Sequence, residues 1–121
     1  MTLVASVGAA QALDGREAGL QAAHQALNRI GANTPGLAMV IASHQYQARE
    51  VLNGITSLLG DAPVIGFGSP AGFTQGGVHP HSVIVALLSG DFQADTHWFP
   101  GYAQSGRETA SKVAQHLAAR E

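Results

Sequence analysis

Leu37-Ala38-Met39-Val40-Ile41-Ala42 is the stretch from which the fold can be read. This apolar run is flanked by the turn residues Asn33-Thr34-Pro35-Gly36 and by Ser43. It is too short for a typical helix and suits a strand buried on both faces. Downstream, Ala48, Val51, Leu52, Ile55 and Leu58 or Leu59 recur at helical spacing, opposite Gln47, Arg49, Glu50 and Asn53. Ser43 is the expected cap of this helix and Gly60-Asp61 its stop. A second apolar run at residues 62–67 completes a β-α-β unit, which implies a parallel pair with a right-handed crossover.

Working outward, residues 3–7 read as an earlier strand. Asp14 caps the following helix, with Glu17 three residues on. Leu20, Ala23, Leu27 and Ile30 mark its apolar stripe, and Gly31 suits its end. On the other side, a Gly-rich connection covers residues 68–77. Residues 82–89 are almost wholly apolar and read as a central strand. Gly90-Asp91 signals a hairpin into a half-exposed strand at residues 92–99. Ser105 and Glu108 open a last helix whose inner face is Ala110, Val113, Ala114 and Leu117. The expectation is one α/β domain over residues 1–121, a mixed sheet in the order β-α-β-α-β-β-β-α with helices packed on it. Ser105-Gly106-Arg107-Glu108 echoes Asp14-Gly15-Arg16-Glu17. Both are good capping sequences, and the echo also fits the start of a repeated unit.

Composition narrows the function. The net charge is −2 and the six Lys and Arg are scattered, so no basic stripe exists to follow phosphates. Nucleic acid is not expected as a partner. Cysteine is absent, which excludes disulfides, thiolate catalysis and Cys-ligated metals; a cytoplasmic location is expected. The first residues lack the basic region of a signal peptide. No stretch approaches the roughly 20 apolar residues of a membrane span, so no membrane association is expected. Only 12% of residues are charged, which leaves little repulsion to oppose self-association.

The chemistry concentrates in Ala62-Pro63-Val64-Ile65-Gly66-Phe67-Gly68-Ser69-Pro70-Ala71-Gly72-Phe73. Small residues after a strand leave backbone amides open to an anionic group or close wrapping of a ligand, although a plain tight turn uses the same residues. The segment lacks the Lys of a phosphate-binding P-loop, the third Gly of a dinucleotide fingerprint and the Gly-x-Ser-x-Gly of a nucleophile elbow. The candidate ligand site is Ser43, His44, Tyr46, Gly66, Phe67, Gly68, Ser69, Ala71 and Gly72. Ser69 and His44 add hydrogen bonds, and Phe67, Phe73 or Tyr46 covers the apolar part. His79 and His81 lie on one side of an extended chain. If Ser89 pairs with Phe92, His97 falls on the opposite face from His81; if Ser89 pairs with Asp91, it shares that face. The first register suits the turn better, so neither a metal nor haem is expected. His24 and His116 read as surface residues, and Asp91 and Asp95 as solvated hairpin residues. No carboxylate pair supports acid–base work, and no enzyme is expected.

Three segments in order resemble the N-terminal domain of the FIST family. They are the strand ending Ala42-Ser43 with Tyr46 and its helix, Pro63-Val64-Ile65-Gly66 with the Ser, Ala and Gly cluster, and Gly77-Val78 followed by Ser82-Val83-Ile84-Val85-Ala86-Leu87. The helix start Gly15-Arg16-Glu17-Ala18-Gly19 also looks familial. The resemblance implies an intracellular sensory module, coupled to a downstream signalling protein and binding a small molecule such as an amino acid or derivative. Some members are described as haem-containing sensors. Phe73 departs from the acidic residue common at its position, and the glycine segment carries one extra residue near Pro70. Members typically continue into a second similar unit, so this sequence reads as one unit of a tandem arrangement. A homodimer is therefore expected, with the final strand and helix open to exchange between protomers. The alternatives are a ligand-free assembly module, a small enzyme using His44 and Ser69, and a haem sensor.

Overall fold

The computed structural model describes residues 2–120. The elements are β1 (Val4–Ala10), α1 (Gly15–Ile30), β2 (Leu37–Ser43), α2 (Ala48–Leu59), β3 (Val64–Ser69), β4 (Ala71–Thr74), β5 (Gly77–Pro80), β6 (Val83–Ser89) and α3 (Gly106–Ala119). The main sheet has the order β1-β6-β2-β3, and β4 and β5 form a small hairpin beside it. β6 runs antiparallel to both β1 and β2, while β2 and β3 are parallel. The expected mixed α/β fold is the one that forms. The first crossover, β1-α1-β2, leaves a gap that β6 fills, and the second, β2-α2-β3, joins neighbours.

β6 is central because its apolar run can be buried on both faces; Val83, Val85 and Leu87 are fully buried. α1 begins where Asp14 accepts the amide of Glu17 at 2.8 Å, and ends at Gly31, whose φ of 72° favours glycine. Its inner face is Ala18, Ala22, Ala23 and Ala26, all fully buried. Such small side chains let backbones meet. A Cβ at Gly8 of β1 would collide with the Ala22 carbonyl of α1. One at Gly54 of α2 would collide with the Arg16 carbonyl, and one at Gly19 would sit 2.5 Å from the Val51 oxygen. α2 consequently packs chiefly on α1 rather than on the sheet.

Several local expectations are corrected. Ser43 does not cap α2: the strand runs through it, its amide bonds Ser82 O at 2.9 Å, and Gln47 stands at the cap without a side-chain bond. β3 is an exposed edge strand rather than a buried one, with Ile65 51% and Phe67 66% exposed. The Gly-rich connection is largely strand, since it supplies β4 and the start of β5. Residues 92–99 form no strand. β6 already has β1 and β2 on its two sides, so a hairpin partner has no free edge to join. Instead the Phe92 ring lies against Gly36 and Gly90. α3 does not bury the expected face: only Thr109 is buried and Leu117 is 60% exposed. The helix is tied to the preceding segment, where Asp95 accepts from His116 at 3.2 Å and pairs with Arg120 at 3.6 Å. His116 also stacks on His97, with ring centroids 4.6 Å apart. Asp95 stays exposed and His116 partly so, as expected of surface residues, but the two are engaged with each other and no hairpin surrounds Asp95.

The α1–α2 contact can be tested at Gly54. In an open helix, Ala would be favoured over Gly by about 1 kcal/mol. Here the added Cβ meets backbone, and overpacking of this kind costs about 1–3 kcal/mol. Gly54→Ala is expected to lower the urea midpoint; a raised midpoint would refute the close approach.

Candidate functional site

Because α2 leans on α1, space opens between α2 and the β2–β3 edge of the sheet. It forms a cavity of about 440 Å³. Val40, Ala42 and Val64 line its floor with Gly66 and Gly68, while Ala48, Val51 and Leu52 of α2 form the opposite wall. Ser43, His44 and Tyr46 close one end, and Phe67 stands at the rim. No Asp, Glu, Lys or Arg lines it.

Each polar group has a definable state. Ser43 is buried, and its hydroxyl oxygen accepts from the Gln45 amide at 3.4 Å. The His44 ring lies over Gly68, where a Cβ would be 2.7 Å from its Cδ2 and 3.2 Å from its Nε2. Gly68 is therefore the reason that the imidazole can lie there. The Tyr46 hydroxyl binds three backbone groups: it accepts from Ala12 N at 3.2 Å and faces Ala12 O at 2.7 Å and His81 O at 3.0 Å. His81 has a φ of 51°, the left-handed conformation. Tyr46 thus clamps the ends of β1 and β5 to the start of α2 while lining the cavity.

The backbone of β3 adds a further feature. Ala38 N donates to Pro63 O and His44 N to Ser69 O, so the intervening odd-numbered residues of β3 face β2. By the two-residue period, the amides of Gly66 and Gly68 point away from β2, on the open edge of the sheet.

Six of the nine site residues expected from sequence meet here: Ser43, His44, Tyr46, Gly66, Phe67 and Gly68. Ser69, Ala71 and Gly72 do not. The Ser69 hydroxyl donates to Ala71 O at 2.7 Å rather than engaging His44. Ala71 and Gly72 belong to the hairpin on the other face of the sheet, where Gly72 packs over Ile84 and Ile41. Phe73, 79% exposed, lies on that side as well. Sequence reasoning missed the apolar walls. Ala48, Val51 and Leu52 were assigned to the core face of α2, and Leu52 is in fact 42% exposed. The histidines are dispersed. His79 contacts Thr74 Oγ1 at 2.7 Å within the hairpin, and His97 sits with His116, so neither strand register considered for His97 applies. Among the described residues no three His, Asp or Glu side chains gather as a metal site.

A family model, the FIST N domain, matches residues 36–121. The chain belongs to the FIST family. The FIST match contains β2, α2 and β3, hence both walls of the cavity, and extends through α3; β1 and α1 precede it. FIST domains form a family of sensory and signal-transduction domains. Among curated proteins, none matches the chain. No helix among the described residues of this FIST domain is long and apolar enough to cross a membrane.

The Tyr46 clamp gives a direct test. Tyr46→Phe removes a hydroxyl that serves three backbone groups at once. A loss of roughly 1–3 kcal/mol in unfolding free energy is expected from urea titration. An unchanged midpoint would mean that the hydroxyl does not hold these segments together.

Proposed function

We propose that this FIST domain is a cytoplasmic sensory module that binds a small molecule in the cavity between α2 and the β2–β3 edge. The observation that carries the reading is the cavity's lining: apolar walls, no charged side chain, and polar groups confined to the Ser43–His44 end and the β3 edge. Its volume lies within the range of small-molecule sites. Leu52, Val51 and Val40 contact the apolar body of the ligand. His44 and the outward amides of Gly66 and Gly68 supply hydrogen bonds to an oxygen acceptor. Occupancy is read by a downstream signalling protein, in keeping with the sensory character of the family.

The absence of charge in the lining refines the ligand class. A free amino acid brings two charges, and desolvating either without a counter-charge is costly. An amino-acid derivative with its ends neutralised and an apolar side chain suits the lining better. A binding rather than a catalytic role is supported by the Ser69 hydroxyl, which bonds Ala71 O instead of pairing with His44.

Leucine and N-acetyl-leucinamide make a matched pair of probes. The neutral derivative is expected to raise the thermal midpoint and free leucine to raise it far less. Leu52→Trp, which fills the cavity from a half-exposed helix position, should abolish the shift while leaving the circular dichroism intact. A shift that survives Leu52→Trp, or no shift from a broad panel of neutral apolar compounds, would overturn the reading.

A further inference from the structure

The two faces of the main sheet are unequally covered. α1 and α2 lie on one side. Among the described residues the other is met chiefly by the short β4–β5 hairpin, and beside it an apolar groove of about 240 Å³ is left open. Met39, Ile41, Ile65, Phe67, Ile84 and Ala86 line that groove, without one polar side chain. Met39 is 48% and Ile65 51% exposed. A sheet built largely of antiparallel pairs can leave one face to water when that face is polar, but the open face here is apolar.

The same chain carries a helix with the opposite lack. Ala110, Val113, Ala114 and Leu117 recur at helical spacing along α3 and present one apolar stripe. Ala110, Ala114 and Leu117 are exposed, and Val113 is half-buried. α3 rests on its own connecting segment, held through Asp95, His116 and Arg120, and makes little contact with the sheet. A partly open apolar sheet face and a partly open amphipathic helix therefore coexist in one molecule.

We propose that the open sheet face is a docking surface for a second copy of this chain, with α3 of each copy laid along the groove of the other. The chemistry matches, since an apolar helix stripe meets an apolar groove and neither brings a charge into the contact. Reciprocity makes the arrangement close as a twofold dimer. Along the groove Met39, Ile65 and Phe67 are each about half to two-thirds exposed. The exposed Phe73 and Val78 of the adjoining hairpin and the α3 stripe extend the apolar surface available toward the roughly 800 Å² per partner of a stable interface. The sparse charge of the chain offers little long-range repulsion between copies.

Sedimentation equilibrium of the full chain, with Met39→Lys and Val113→Asp variants, tests this. Both positions lie outside the ligand cavity. The wild-type chain is expected at twice 12.4 kDa in the micromolar range. Each variant should weaken dimerisation at least tenfold. An equimolar mixture of the two should recover heterodimer, because one groove and one helix remain native and the altered pair brings Lys against Asp. A mass of 12.4 kDa throughout the micromolar range would overturn the proposal. So would a Val113→Asp chain that dimerises as well as wild type, since α3 would then not be the occupant.

Discussion

The packing of α1 against its neighbours rests on the absence of side chains. Gly8 lets β1 meet the Ala22 carbonyl, Gly19 lets α1 meet the Val51 carbonyl of α2, and Gly54 lets α2 meet the Arg16 carbonyl of α1. Hydrogen bonds then lock this approach: Ser6 donates to Ala26 O at 2.7 Å, and Gln25 accepts from Ala9 N at 3.1 Å. Glycine at such sites carries an entropic cost, but any side chain there would force the layers apart. α2 is thereby drawn over α1, with Val51 and Ile55 buried at the contact and Leu52 left at its margin.

The same geometry accounts for the cavity. A helix that leans away from an edge strand leaves that strand uncovered, and β3 meets it with Gly66 and Gly68 instead of bulky side chains. Phe67, between these glycines, takes part in both the cavity rim and the groove on the far face. The edge of this sheet is thus where the molecule is least complete as a packed object. It combines open backbone amides, apolar walls and an imidazole placed over a glycine. On the proposed reading these features serve recognition more than stability, in keeping with a family of sensory domains.

Much of the fold was legible because periodicity and caps carried it. α1 is bounded by Asp14 and Gly31 as its capping residues imply, and the unbroken apolar run of β6 does mark the centre of the sheet. Failures have distinct causes. An apolar run such as Val64–Phe67 reads alike in a central and an edge strand; only the sheet order separates them. The Gly90-Asp91 hairpin signal points to a strand over residues 92–99, yet both sides of β6 are already occupied. Ser43 resembled a cap, but its amide is required by Ser82. At the site, the residues near the strand ends were readable, as Ser43, His44, Gly66 and Gly68 come together. The clamp formed by Tyr46 was not, because Ala12 and His81 are brought beside it only by the tertiary fold.

The central claim is that a ligand enters between α2 and β3. Its most direct test is amide chemical-shift mapping of the ¹⁵N-labelled chain titrated with N-acetyl-leucinamide. Glycine amides usually resonate apart from most others, which makes Gly66 and Gly68 convenient reporters beside those of the β4–β5 hairpin, Gly72, Gly76 and Gly77. The account predicts saturable shifts at Gly66, Gly68 and residues 48–52, with the hairpin glycines unmoved. Shifts confined to the hairpin, or none at Gly66 and Gly68 under saturating probe, would contradict it.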